Sequence, residues 1–442
     1  MSRVALIGEN SVEYIETLID IWNKGDCAVL LDWRIPCQVS VEMMLEAGVR
    51  LCYVQEKYYE TFIGLNSNIS FVSFKTDPII AALLPSYIYD KYINRYCSDE
   101  AVVIYSSGTT GKARGIILSH YAINTNADAI IDYMRPTIED CIYIAKTLSH
   151  SSTLTGELLV ALKAQAKLVI APTIVPPRYV LNNINKFGVT IVCLNPTLLS
   201  MCSDEYEKRQ YDILSLKKIY VSGSILSDQV YNKAHKIFDR IHIYNVYGLS
   251  ETGPRVTAQS QEHCKSNSVG HPIKNVNVKI FNEQGDTVSN GSCGIVHVQT
   301  PCLFEGYTIG VNKCRPLCEG WFNTGDIGYF DDNQELHIVA RADDVIVIDS
   351  HKVYPSSVER KILMLDEISE CVVAEVIFHG KQLLVCLYTG IRADEIKIKN
   401  KLLKFLAPYE VPKCFIFSDK LPQNSNGKII KKEVCRLIEE HL

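Results

Sequence analysis

No sign of charge dominates this chain of 442 residues: 45 lysines and arginines face 50 aspartates and glutamates, for a formal charge of −5. So balanced a composition carries no electrostatic footprint for a polyanion, and nucleic acid is not an expected partner. Long hydrophobic runs are missing too, none nearing the ~20 apolar residues of a membrane span. The opening MSRVALIGEN has neither the basic-then-apolar layout of a secretion signal nor an Arg-rich amphipathic character, which points to the cytoplasm. No two of the 16 cysteines stand in Cys-x-x-Cys spacing, the nearest pair being Cys314 and Cys318. Several, such as Cys193 and Cys386, lie within apolar runs, so reduced core thiols are expected in place of a zinc site or disulfide framework. With 47% hydrophobic residues, the chain can bury a large core in two or more domains.

What is present centres on Ala101 to Gly115, AVVIYSSGTTGKARG. Ala101 to Ile104 read as a buried strand, and Tyr105 leads it into a loop of small and hydroxylated residues. Ser106, Ser107, Thr109 and Thr110 offer hydroxyls, Gly108 and Gly111 allow close backbone approach, and Lys112 and Arg114 bring charge. Such a loop can turn successive N–H groups and hydroxyls onto a polyphosphate. It is not a Walker A loop, because Gly108 and Gly111 are separated by two residues and Ala113 follows Lys112. Taken alone, the stretch also fits a polar turn without a ligand.

The flanking pattern is α/β. An apolar run from Val4 to Glu9 predicts a strand, and Ser11 caps a helix whose apolar face repeats through Val12, Ile15, Leu18, Ile19 and Trp22. AVLLD from Ala28 and a helix around Val39 to Leu45 continue a β-α-β-α grammar, that of a parallel sheet covered by helices. The segment from Tyr53 to Ser98 carries no clear pattern. GIILSH predicts a strand closing a hairpin around the loop, with a helix starting near Ser119 or Tyr121. Strands are predicted at KLVIA, VTIVCLNP, KIYVSGS and IHIYN, with helices near 179–187 and 228–238. The strand ends bear Ser222-Gly223-Ser224 and Tyr247-Gly248-Leu249-Ser250-Glu251, where α/β sheets bind ligands. From Ser268 short alternating strands predict a β-rich subdomain, and Thr324-Gly325-Asp326 reads as a tight turn holding a carboxylate. The last ~100 residues read as a mixed α and β domain, including a helix around Ala393 to Phe405 and a terminal helix.

YSSGTTGKARG resembles the phosphate-loop signature of the adenylate-forming enzymes: acyl- and aryl-CoA synthetases, stand-alone adenylation domains and luciferases. YGLSE, TGD, Arg341 and Pro422 to Lys428 follow in that family's order, so the resemblance spans most of the chain. It implies a large α/β domain over 1–342 with a β-rich subdomain, and a small mobile α+β domain over 343–442 rotating about Asp343. The N-terminal start would be shorter than is usual in the family. It further implies ATP and Mg²⁺ as cofactors, a carboxylic acid as substrate, and CoA or carrier-protein phosphopantetheine as acyl acceptor. Lys428 and Thr109 would act on the carboxylate and phosphates, with Glu251 on the metal. Tyr247 would lie against adenine, with Asn245 and Gly248 beside it, and Ser250 near the α-phosphate. Ser222, Gly223 and Ser224 would line the adenine and acyl pockets, Asp326 and Arg341 would hold ribose, and His150, Ser151, Gly248 and Leu249 would face the acid. Amino-acid-activating members of the family tend to place an Asp between Thr147 and Gly156; none lies there, which favours an acid without an α-amino group, while His150 with the turn around Ser222 points to an acid uncharged beyond its carboxylate.

Three departures bear on activity. The loop ends Ala113-Arg114-Gly115 where Pro-Lys-Gly is usual, Ala340 replaces a Gly before Arg341, and Ser350 replaces a Gly beside the pantetheine path. Ser350 leaves open an amide synthetase using an amine in place of the thiol. The short start and altered loop leave open a non-enzymatic nucleotide-binding descendant.

Overall fold

The computed structural model describes residues 1–76, 81–106, 114–172, 176–260, 268–308, 317–318, 320–348, 351–378, 381–423 and 429–441. Its architecture is α/β, as the alternating pattern implies. The first sheet has seven strands, in the spatial order Gly306–Tyr307, Arg114–Ser119, Glu100–Ser106, Cys27–Leu31, Arg3–Ile7, Leu51–Gln55 and Ser70–Phe74. From Glu100–Ser106 across to Ser70–Phe74 the strands run parallel, with apolar centres in the inner ones. Cys27–Leu31 is buried at every position, as expected of a strand covered on both faces. The helix Val12–Asn23 begins on the Ser11 side chain, which accepts from the Tyr14 N–H, and buries the predicted stripe with Trp22. The segment from Tyr53 to Ser98, unassigned from sequence, supplies a helix at Glu56–Phe62, the edge strand Ser70–Phe74 and a helix at Ser86–Lys91.

The second sheet runs His271–Pro272, Thr257–Ala258, His242–Tyr247, Lys218–Val221, Ile191–Leu194, Cys141–Ile144, Lys167–Ile170 and Ala82–Leu83. Its central strands are again parallel. Side chains from both sheets share one apolar cluster that includes Leu30, Ile104, Ile123, Ile144, Leu158 and Phe304. A buried Asn10 fastens the sheets at their strand ends. Its amide donates to the carbonyls of Lys146 and Ala171, and its oxygen accepts from the Leu148 N–H at 2.9 Å. That bond fixes the entry into the Thr147 to Gly156 segment.

A five-stranded antiparallel sheet follows, built from Asn277–Phe281, Gly294–Gln299, Leu317–Cys318, Trp321–Phe330 and Leu336–Arg341. The Thr324-Gly325-Asp326 run is not a turn: it lies inside the strand Trp321–Phe330. Gly325 at φ +70° lets the strand swivel locally, and Asp326 then stands opposite Arg341. The predicted strand from Val4 ends at Ile7, before Glu9. Residues Ala342–Asp344 form one 3₁₀ turn. Beyond it, Ile368–Phe378, Lys381–Gly390 and Cys414–Phe417 form a three-stranded sheet backed by helices Pro355–Ile362, Glu395–Leu402 and Lys431–His441. The helix expected over 393–405 is confined to Glu395–Leu402, starting on the Asp394 side chain. Among the described residues no disulfide forms, and Cys27, Cys52, Cys193 and Cys386 are buried thiols. No described helix is long and apolar enough to cross a membrane.

Candidate functional site

The hairpin strands Glu100–Ser106 and Arg114–Ser119 pair as the sequence predicts, with Ser106 opposite Arg114 at the mouth of the loop. Ser107, Gly108, Thr109, Thr110, Gly111 and Lys112 lie outside the described residues, as do Ser350 and Lys428. What the structure does give is the base of the loop. Tyr105 donates its hydroxyl to the Met43 carbonyl at 2.8 Å, and Gly115 packs so tightly that a Cβ there would meet the Thr308 hydroxyl at 2.6 Å.

The strand His242–Tyr247 delivers the YGLSE residues beside that base. A segment with no motif of its own, Phe304–Thr308, ties the two together. The Phe304 N–H donates to the Glu251 carbonyl, while the N–H groups of Glu305 and Thr308 donate to Ile117 and Gly115. From the same segment the Tyr307 hydroxyl donates to Glu251 Oε1 at 3.1 Å, and the Arg114 guanidinium stands over the Tyr307 ring at 5.6 Å. Burial, then the Glu251 charge, raises the Tyr307 phenol well above its ordinary value. Sequence reasoning missed Tyr307, because nothing in its spacing distinguishes it from any other aromatic.

Ser151 and Ser250 share a hydroxyl–hydroxyl hydrogen bond of 2.7 Å, although 99 residues separate them. Ser151 opens a helix running to Ala164 whose middle turn, Leu154–Leu159, widens to π geometry. His150 is its half-buried cap residue. Leu249 and Ser250 are half-buried and Gly248 is exposed. Gly248 has a reason of its own to be glycine: a Cβ there would lie 1.9 Å from the Pro254 carbonyl oxygen. The close approach it permits in this structure is that of its own chain turning back at Pro254.

Tyr247, Asp326 and Arg341 converge. The Tyr247 hydroxyl donates to Asp326 Oδ2 at 2.5 Å, and Arg341 Nη1 donates to Asp326 Oδ1 at 2.9 Å and to the Thr324 carbonyl at 3.0 Å. Thr324 Oγ1 in turn accepts from the Asp326 N–H at 3.0 Å and donates to Val296, fixing the bulged strand. Asp326 is 5% exposed, and burial raises its carboxyl above the usual range although Arg341 and Tyr247 pull it down. A carboxylate kept at such a place against its solvation is typical of functional sites. Asn245 is buried and spends its amide on the Ser268 carbonyl at 3.0 Å, bracing the strand end. Ser222 is buried at the end of Lys218–Val221, with Gly223 and Ser224 exposed beyond it and Gly223 at φ +103°. Asp343 lies in the 3₁₀ turn Ala342–Asp344, whose Asp344 pairs with Lys431 at 2.6 Å.

A model of the AMP-binding enzyme family matches residues 1–308, more than two thirds of the chain. The chain belongs to this family. Among curated AMP-binding relatives, a fatty acid–[acyl-carrier-protein] ligase of Streptomyces coeruleorubidus is 25% identical, covering 98% of this chain and 86% of the relative. An indoleacetate–CoA ligase of Aromatoleum aromaticum is 25% identical over 99% of this chain and 88% of its own. Among solved structures, ATP-bound MatB from Rhodopseudomonas palustris superposes with a TM-score of 0.86 at 21% identity, covering 99% of this chain and 89% of that one. The o-succinylbenzoate coenzyme A synthetase of Bacillus subtilis, solved with ATP and magnesium ion, gives 0.82 at 20% identity over 98% and 89%. These superpositions extend the shared fold past the matched 1–308 to nearly the whole chain.

Proposed function

We propose that this protein activates a carboxylic acid with ATP, forming an acyl-adenylate and pyrophosphate, and passes the acyl group to a thiol. The observation that best supports this reading is the convergence of Tyr247, Asp326 and Arg341, three residues from distant motifs joined through one buried carboxylate. Both curated relatives are named as acid–thiol ligases, one for CoA and one for an acyl carrier protein.

In this mechanism Asp326 accepts from the ribose hydroxyls, with Arg341 and Tyr247 holding the carboxylate in place. Tyr247 also offers a ring face to adenine. Ser250, hydrogen-bonded to Ser151, would offer its hydroxyl to the α-phosphate, and the loop sequence of residues 106–112 would supply N–H and hydroxyl donors to the outer phosphates. Glu251 suits Mg²⁺: it is a half-buried, hard oxygen donor whose second partner, the Tyr307 hydroxyl, fixes its orientation. When bound, the metal would offset charge on the phosphate oxygens. Lys428 would bridge the substrate carboxylate and α-phosphate, so that catalysis consists of positioning and charge neutralisation. Residues 343–442 would act as a separate small domain, turning about Asp343 to exchange Lys428 for the thiol.

Carboxylate-dependent exchange of labelled pyrophosphate into ATP tests the first step. Exchange with at least one acid, lost in Lys428→Ala by about 100-fold or more, is expected. No exchange across aryl, short-chain and long-chain acids would remove the proposal.

A further inference from the structure

Two buried charged side chains and a half-buried third have no task in the mechanism above. Ser151 and Ser250, joined at their hydroxyls, head two segments that run inward together. On the first, Glu157 is wholly buried in the widened turn and pairs with Lys146 at 3.0 Å. On the second, Arg255 is 2% exposed and its backbone is clasped by Asn126, which donates to its carbonyl at 2.9 Å and accepts from its N–H at 3.0 Å. The segments meet at Gly156, where a Cβ would stand 3.0 Å from the Arg255 guanidinium. Among the described residues Arg255 Nε has no hydrogen-bond partner, nor do the buried hydroxyls of Thr155 and Thr257.

The charges here do not cancel. Lys146 and Arg255 are the charged groups acting on Glu157, and the other ionisable groups about Arg255 are the neutral Tyr133, Tyr220 and Cys193. Two cations therefore share one carboxylate, and that carboxylate is engaged by Lys146. A guanidinium buried without a carboxylate of its own is unfavourable unless an anion joins it. At Gly156 no side chain crowds the guanidinium, since a Cβ there would stand 3.0 Å from Arg255 Nη2, and widened helical turns of this kind recur at functional sites.

Building on the activation reading, we infer that this cluster is the far end of the acyl site and that Arg255 receives a second carboxylate, so that the substrate class is a dicarboxylic acid. This departs from the expectation, drawn from His150 and the turn around Ser222, of an acid uncharged beyond its reacting group. Glu157 and Lys146 act as positioning residues: their mutual pairing holds the turn and leaves Arg255 for the ligand.

The test is pyrophosphate release by the full chain with Mg-ATP and three matched sets: dicarboxylic acids of graded length, their monomethyl esters, and monocarboxylic acids of equal length. The ester removes the second charge and little else. At least one diacid should exceed its monoester in kcat/KM by about 10- to 100-fold. Arg255→Gln should erase that ratio by lowering the diacid alone, and Arg255→Lys should restore part of it. Turnover of monoesters or monoacids equal to or above that of the diacids overturns the substrate class while leaving activation intact. Absence of pyrophosphate with every acid overturns the activation reading and this inference together. The wild-type panel decides the matter even if the Arg255 variants fail to fold.

Discussion

Asp326→Ala and Asp326→Asn together separate the structural from the ligand-binding work of one carboxylate. In the alanine variant the Tyr247 hydroxyl loses a charge-assisted bond of 2.5 Å, worth about 1.5–3 kcal/mol. The Arg341 pair adds about 1 kcal/mol or less, because the arginine side chain is 36% exposed and can rehydrate. The expected destabilisation is therefore about 2–4 kcal/mol, read by urea unfolding. Asparagine behaves differently. Burial already raises the Asp326 carboxyl against the pull of Arg341 and Tyr247, so near neutral pH its charge weakens the fold relative to a neutral group. The amide retains an acceptor for Tyr247 and should lie within about 1 kcal/mol of wild type. Nucleotide binding should nevertheless fall in Asp326→Asn, by about tenfold or more in a calorimetric titration with AMP, because a neutral amide is a weaker acceptor than a carboxylate. An asparagine variant that binds AMP as tightly as wild type would refute the ribose assignment. One destabilised as much as the alanine variant would refute the electrostatic argument.

Gly248→Ala should destabilise by at least about 1–3 kcal/mol, since a Cβ would meet the Pro254 carbonyl at 1.9 Å; unchanged urea unfolding would contradict that packing. His120 is 5% exposed, packed edge-on against Trp22, and pulled down from 6.5 to about 4 by burial, aided by Arg95 and opposed by Asp99. The unfolded chain takes up this proton first, so stability should drop as pH falls through the interval between those values, by about 2 kcal/mol from pH 7 to pH 5. His120→Gln should flatten that part of the profile, and an unaltered slope would refute the assignment. Glu251→Gln should raise the Mg²⁺ concentration needed for half-maximal exchange by about tenfold with little change in melting temperature, and an unshifted magnesium curve would remove Glu251 from the metal's reach.

Much of the large α/β region was legible because its strands are buried on both faces and its helices carry single apolar stripes. Val12 to Trp22 after Ser11, and the hairpin around the phosphate loop, are local patterns that tertiary context does not override. Thr324-Gly325-Asp326 misled because Gly and Asp favour turns. A glycine at positive φ can equally sit in a strand, and only the pairing of Asp326 with Arg341 across the sheet distinguishes the two. The Tyr53 to Ser98 stretch resisted reading because its strands Ser70–Phe74 and Ala82–Leu83 are sheet edges, half-exposed and short. Motif order singled out Tyr247, Asp326 and Arg341, which the structure brings into contact. Asn10, Tyr307 and Arg255 make their contacts with residues 56 or more positions away in the chain, and no local spacing announces them.

The strap at Phe304–Thr308 has a consequence for how the protein is made. The base of the hairpin emerges from the ribosome about two hundred residues before the segment that completes its edge. Until that segment arrives, the outer strand Arg114–Ser119 is an unpaired edge, and such edges invite wrong partners. A nascent or truncated chain stopping short of residue 304 would carry the glycine-rich signature yet lack the brace against Gly115, Ile117 and Glu251. Fragments meant to capture nucleotide should therefore extend beyond Thr308.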